Sequence, residues 1–250
     1  MRTCLLALSV LLVASWSASA AERVTAEDVG KRVGQVFVGY DDFYVWVTQT
    51  EYAPGATVGV SDEGRAYFKR KEKFRLNFGK PPREVHGTDG QVYWIYKTPK
   101  GGKPELLFTR RKENAPAHPL LLVFALGDKM AKAMEKFFNA EPVEEAVIKD
   151  RTGKEAACFR LTITLKPEFF KKFRQEVGDR RLLPADPRQK WTIWVDKSTW
   201  LPRRVLIGRQ TGARSEYSFR QFHHNVGLRD AIFDMPRPLG VEPREIDGGK

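Results

Sequence analysis

Side chains that do acid–base, nucleophilic or metal chemistry are few in this chain, and their spacing is unproductive. The four histidines are His86, His118, His223 and His224. In an extended segment the adjacent His223 and His224 point to opposite faces, so they cannot readily chelate one metal. There is no His-x-x-x-His or Cys-x-x-Cys spacing, no Gly-rich phosphate loop and no Gly-x-Ser-x-Gly elbow. The carboxylate pairs Asp41-Asp42 and Glu144-Glu145 fall near element ends, where solvated charges are normal. Cys158 sits in the strand-like Ala156-Ala157-Cys158-Phe159-Arg160-Leu161, and a buried inert thiol is the expectation. The pattern predicts no enzyme, no metal site and no cofactor.

The remaining chemistry is charge and apolar surface. The chain has 250 residues with 43 Lys+Arg against 31 Asp+Glu, a formal net charge of +12. The densest basic clusters are Lys69-Arg70-Lys71-Glu72-Lys73 and Lys171-Lys172-Phe173-Arg174. Aromatics interleave with them, a pattern that also suits nucleic acid. Export, for which the first residues argue, counts against that partner. A solvated face is the plain reading, and an anionic surface or an acidic partner the functional one. Sixteen Phe, seven Tyr and six Trp are more than a disordered chain would carry. They call for a large packed core or an apolar pocket.

Residues 1–20 are a separate object. Arg2 gives a positive start, Leu5 to Ala14 is an unbroken run of apolar or small residues, and Ala18-Ser19-Ala20 fits a signal-peptidase site. The run is too short for a membrane span of roughly 20 apolar residues. Residues 1–20 are therefore expected to be a cleaved signal peptide, and 21–250 a single domain in the periplasm. Cys4 precedes the apolar run, so it is misplaced for lipid attachment. That leaves Cys158 alone, and no internal disulfide. The mature chain keeps a charge of +11.

The elements that must position these groups follow from periodicity. Val24, Val29, Val33, Val36 and Phe37, with Thr25 and Asp28 as a capping pair, predict a helix over 25–39. Strands are expected at Phe43–Tyr52, Thr57–Val60, Ala66–Arg70 and Lys73–Phe78, with a turn at Asp62-Glu63-Gly64. Thr88-Asp89-Gly90 marks a hairpin, followed by Val92–Tyr96 and, after another turn, Glu105–Thr109. Residues 119–138 carry helical spacing in Leu122, Leu126, Met130, Ala133, Met134 and Phe137. Val143–Asp150 and Ala156–Leu165 read as a hairpin, and Pro167–Val177 as a short helix. Trp191–Val195, Arg203–Gln210 and Arg214–Phe222 close the strand series, and 236–250 reads as a loose tail. Nine or more hairpin-linked strands with two principal helices make an α+β domain on a large antiparallel sheet. The 119–138 helix must bury its stripe on the sheet's concave face.

Three segments together resemble the periplasmic outer-membrane lipoprotein carrier (LolA-like) family. Gly64-Arg65-Ala66-Tyr67-Phe68-Lys69-Arg70-Lys71-Glu72-Lys73-Phe74-Arg75-Leu76-Asn77-Phe78 is similar to its Gly-started strand pair with a basic turn. Here Arg70-Lys71 stands where the family usually has Arg-Pro. Thr88-Asp89-Gly90-Gln91-Val92-Tyr93-Trp94-Ile95-Tyr96 is similar to its Asp-Gly hairpin. Trp191 to Phe222, then Phe233-Asp234-Met235-Pro236 and Gly240-Val241, are similar to its closing strands and end signature. The 166–190 region is longer than is typical.

The resemblance implies an incomplete, strongly curved antiparallel β-barrel with helices packed on its concave face as a lid. It implies a carrier that shields lipoprotein acyl chains and delivers them toward the outer membrane. Its partners would be acylated lipoproteins or lipids, an inner-membrane release complex and an outer-membrane acceptor, and a monomer is expected. The family's lid-latching Arg falls on Arg70. Phe74, Phe78, Trp94, Tyr96, Leu122, Met130 and Met134 become the candidates for lining the acyl cavity, against ordinary core packing for each. The alternatives are a lipid- or lipoprotein-sensing envelope regulator of the same fold, a basic surface- or polyanion-binding protein, and an enzyme acting on lipid or cell-wall material.

Overall fold

The computed structural model describes residues 23–70, 72–79, 82–99, 101–110, 124, 136, 138–150, 153–169, 189–209 and 211–245. Residues 1–22, which contain the expected signal peptide, lie outside the described residues, as do Leu122, Met130 and Met134 and all of 170–188.

The helix α1 spans Ala26–Val38. Its start is fixed by a reciprocal capping box: Asp28 N donates to Thr25 Oγ1 at 3.1 Å, and Thr25 N donates to Asp28 Oδ2 at 2.9 Å. Val29, Val33 and Phe37, at spacings of four, form its buried stripe.

Thirteen strands follow. They are β1 (Asp42–Tyr52), β2 (Val60–Lys69), β3 (Lys73–Phe78), β4 (Glu84–Thr88), β5 (Val92–Lys97), β6 (Glu105–Arg110), β7 (Phe138–Ala140), β8 (Glu144–Lys149), β9 (Glu155–Leu165), β10 (Lys190–Asp196), β11 (Pro202–Gly208), β12 (Arg214–His224) and β13 (Pro243–Glu245). They form one open sheet in the order β13-β6-β5-β4-β3-β2-β1-β12-β11-β10-β9-β7, with β8 also pairing β9. All pairs are antiparallel except β13 with β6. The single open antiparallel sheet agrees with the expected α+β architecture, while the expected lid helix over 119–138 lies outside the described residues except at Phe124, Lys136 and Phe138.

Two expectations change. The Asp62-Glu63-Gly64 turn is instead the middle of β2, which runs unbroken from Val60. Gly64 is needed for a close approach, not a turn: a Cβ there would lie 1.9 Å from the Asn77 carbonyl oxygen on β3. The tail is not wholly loose either. Asp42 anchors the chain that leads into it, accepting from Val226 N and Leu228 N at 2.7 Å each. A 3-10 turn at Asp230–Phe233 follows, and Pro243–Glu245 then pairs along β6.

The sheet has two apolar faces of unequal size. The inner face meets α1 and holds the main core, including Phe43, Val45, Phe68, Phe74, Leu76, Phe159, Trp191, Val205 and Phe219. The outer face carries a small second cluster of Val85, Trp94 and Leu106, covered by Met235 and Val241 of the C-terminal segment.

One buried anion fixes the β10–β11 connection. Asp196 Oδ1 accepts from Ser198 N, Ser198 Oγ and Thr199 N, while Oδ2 accepts from Arg203 Nε at 3.0 Å. Burial opposes its charge, but these donors outweigh burial and hold its pKa at about 2, against an ordinary 3.8. Because the folded value is the lower one, this stabilisation is complete above about pH 4 and is lost as pH falls toward 2. Asp196→Ala is expected to cost about 1–2 kcal/mol at pH 7, since it removes the acceptor shared by Ser198, Thr199 and Arg203, whose donors can turn in part to water. Urea unfolding of both proteins at pH 7 and pH 2.5 should show the difference shrinking at the lower pH.

Candidate functional site

The inner face near the carboxyl end of α1 is an aromatic nest. Phe37 of α1 lies 5.2 Å, ring to ring, from Phe43 of β1. Phe43 stacks on Phe68 of β2 at 4.6 Å, and Phe68 meets Phe74 of β3 at 4.9 Å. At the centre sits Phe124, helical and buried, from the stretch between β6 and β7. Its ring contacts Phe37 (5.6 Å), Phe43 (5.8 Å), Phe68 (4.8 Å), Phe219 (5.0 Å) and Phe222 (6.3 Å). Phe124 is not one of the stripe residues expected to meet the concave face; Leu122, Leu126, Met130, Ala133, Met134 and Phe137 all lie outside the described residues.

Phe222 reaches the nest because β12 is irregular. Tyr44 faces His223, but Trp46 faces Arg220, so β12 has one extra residue there, with Gln221 at φ 54°. Simple alternation from Phe219 would turn Phe222 outward; the bulge turns it inward. A bulge leaves no clear sign in sequence, so Phe222 was not among the expected wall residues. Phe37, Phe43, Phe68, Phe124 and Phe219 were missed as well, although apolar alternation marks most of them.

The four described wall candidates do not share one wall. Phe74 and Phe78 project from β3 onto the inner face. Trp94 and Tyr96 belong to the outer cluster beneath the C-terminal segment. On β5 it is Tyr93 and Ile95 that face inward. Trp94 is instead a packing wedge: it is fully buried, and a Cβ on Gly87 would fall 2.2 Å from its ring.

Arg70 is placed where a latch could act. Its NH2 donates to Val38 O at 2.6 Å and its Nε to Tyr40 O at 3.2 Å, with Asp41 Oδ1 at 3.0 Å from Nε. Val38 ends α1, which has no basic residue in its last turn, so Arg70 supplies the cation that the helix's negative end favours. The basic cluster around Arg70 is largely used internally. Lys69 and Lys73 both pair with Asp230, at 2.7 and 3.1 Å, tying the C-terminal segment to the sheet.

The other end of the inner face is polar. On β4 and β5, His86 Nδ1 lies 2.7 Å from Tyr93 Oη and its Nε2 2.7 Å from Glu84 Oε1, while Lys97 Nζ is 3.1 Å from the same oxygen. The hydrogen bond with His86 holds Glu84 at a pKa of about 2, against the opposing effect of burial. On β1 and β12, Gln49, Glu51, Ser215 and Tyr217 share this end. Burial, then the charges of Glu51 and Glu84, push the Tyr217 phenol well above its ordinary range.

Among the described residues, no group of three or more His, Cys, Asp and Glu is arranged to hold a metal, and no helix is long and apolar enough to cross a membrane. Cys158 is a buried free thiol. Its pKa is raised by burial and by Asp196.

A curved open sheet with an apolar inner face, a capped helix laid across it and a polar end describes a half-open barrel with an amphipathic interior. No protein-family model matches the chain, and no curated protein matches it. Solved structures are similar to it. A LolA superfamily protein from Nitrosomonas europaea is 14% identical over 84% of this chain and 98% of its own, with a TM-score of 0.38. An outer membrane lipoprotein-sorting protein domain from Vibrio parahaemolyticus is 14% identical over 83% and 97%, at 0.37. LprF from Mycobacterium bovis is 10% identical over 86% and 97%, at 0.43.

Proposed function

We propose that the protein is an exported, non-enzymatic carrier that shields acyl chains of lipids or lipoproteins on its inner face and delivers them toward the outer membrane. The observation that carries this reading is the seat of Phe124. A ring from outside the sheet fills a nest of five other Phe rings, in the volume an acyl chain would take when that segment moves aside. Burying such a chain is favourable by about 0.8 kcal/mol per methylene. Keeping the nest filled when no cargo is bound avoids an exposed apolar patch.

In this reading the 119–138 segment is the lid, and Arg70 steadies the helix beside it. The carrier acts as a monomer and takes cargo from an inner-membrane release complex to an outer-membrane acceptor. Native mass spectrometry of protein purified from its own envelope should show bound acylated species. Ligand-free protein that also fails to bind a fluorescent fatty acid would sink the reading. Arg70 is 60% exposed, so Arg70→Leu should cost less than about 1 kcal/mol of stability. It should nevertheless speed exchange of the fluorescent fatty acid several-fold, measured by stopped flow. Unaltered exchange would remove Arg70 from the latch role.

A further inference from the structure

The polar end of the inner face is built unlike the solvated rim of an ordinary sheet. Ser215, 2% exposed, is the hinge of a short relay. Its Oγ donates to Glu51 Oε2 at 2.8 Å and accepts from Arg209 NH2 at 3.3 Å. Gln49 Nε2 donates to Glu51 Oε1 at 2.6 Å. Glu51 and Arg209 themselves stand 3.9 Å apart, beyond direct hydrogen-bond reach, and both side chains are about half exposed. The anion and the cation are therefore held side by side as a loose ion pair bridged by Ser215, reachable from solvent, with no direct hydrogen bond between them.

Gln189 adds an independent observation. It is 8% exposed, and its Oε1 has no hydrogen-bond partner. Trp191 pairs with Ile207, and the same register carried two residues further sets Gln189 across from Arg209. Alternation with Trp191 and Ile193 puts it on the inner face. A buried amide oxygen without a partner costs free energy that a bound donor would recover. The other charges at this end are already engaged: Glu84 has His86 and Lys97.

The geometry points to this end as a headgroup subsite for a zwitterionic phosphoethanolamine lipid, with the ammonium on Glu51 and Gln189 Oε1 and the phosphate on Arg209. The assignment rests on the carrier reading, because the lipid's acyl chain runs from this end toward the aromatic nest. A free fatty acid would satisfy only Arg209, and an anionic glycerol headgroup would meet Glu51 with repulsion.

The test compares lysophosphatidylethanolamine and lysophosphatidylglycerol of equal chain length as competitors of a fluorescent fatty acid. The wild-type protein should favour the ethanolamine lipid by about tenfold, the scale of one charge-assisted hydrogen bond. In Glu51→Gln the ratio of the two affinities should fall to about one. Gln189→Leu, which removes an oxygen that has no partner, should lower the ratio several-fold and provides the test if Glu51→Gln fails to fold. Fatty acid that binds with a wild-type ratio near one overturns the headgroup subsite and leaves the carrier reading standing. Absence of any acyl binding overturns both.

Discussion

Phe124→Ala is expected to lower folding stability by about 3–5 kcal/mol and, at the same time, to tighten binding of an acyl probe. The first effect follows from burial: the ring is 3% exposed and touches five other aromatic rings. Removing it leaves a cavity lined by Phe37, Phe43, Phe68, Phe219 and Phe222, which a well-packed sheet cannot collapse to fill. The second effect separates a plug from a core residue. If the nest is where cargo lies, wild-type protein must expel the Phe124 ring before an acyl chain enters, and the variant need not. A saturating fatty acid should then return much of the lost thermal stability, because it binds only the folded state. Thermal melts with and without fatty acid, together with probe titrations, read both quantities. A variant that loses stability and gains no affinity would make Phe124 an ordinary core residue. Phe124→Leu, which keeps most of the volume, should lie between the two proteins in both measurements.

How far the sequence could be read depended on whether a signal was local. The capping pair Thr25 and Asp28, with the Val29–Val33–Phe37 stripe, placed α1 to within a residue or two, because caps and helical period are properties of neighbouring residues. Most strands were legible for the same reason. The faces were not. Strand β5 reads Val-Tyr-Trp-Ile-Tyr-Lys, apolar on both sides, so alternation alone cannot say which of Tyr93 or Trp94 looks inward. The answer lies in the C-terminal segment, whose Met235 and Val241 cover Trp94 from about 140 residues away in sequence. Phe222 was hidden by a bulge, and the polar end by distance: Glu51, Gln189, Arg209 and Ser215 come from four separate stretches that only the sheet order brings together. The expected latch at Arg70 came from resemblance, and its partners Val38 and Tyr40 became visible only with the helix in place.

Gly64→Ala should be among the most damaging single methyl additions this sheet can receive, at about 3 kcal/mol or more. Gly64 faces Val47 on one side and Phe78 on the other, in the middle of three consecutive antiparallel strands. An added Cβ would stand 1.9 Å from the Asn77 carbonyl oxygen and 3.0 Å from both the Asn77 carbonyl carbon and Phe78 Cδ1. Two of those atoms are backbone, so no rotamer change relieves the contact; β2 and β3 must part or the curl between them must relax. Either response pulls Phe68 and Phe74 away from each other, since both lie on the same two strands. The nest around Phe124 depends on that curl. The expected result is therefore a loss of stability in urea unfolding accompanied by weaker fatty-acid binding in the molecules that remain folded. This is the opposite of the Phe124→Ala pattern, in which stability falls while affinity rises. A stable Gly64→Ala protein with unchanged binding would show that the close approach of β2 to β3 does not set the curvature of the inner face.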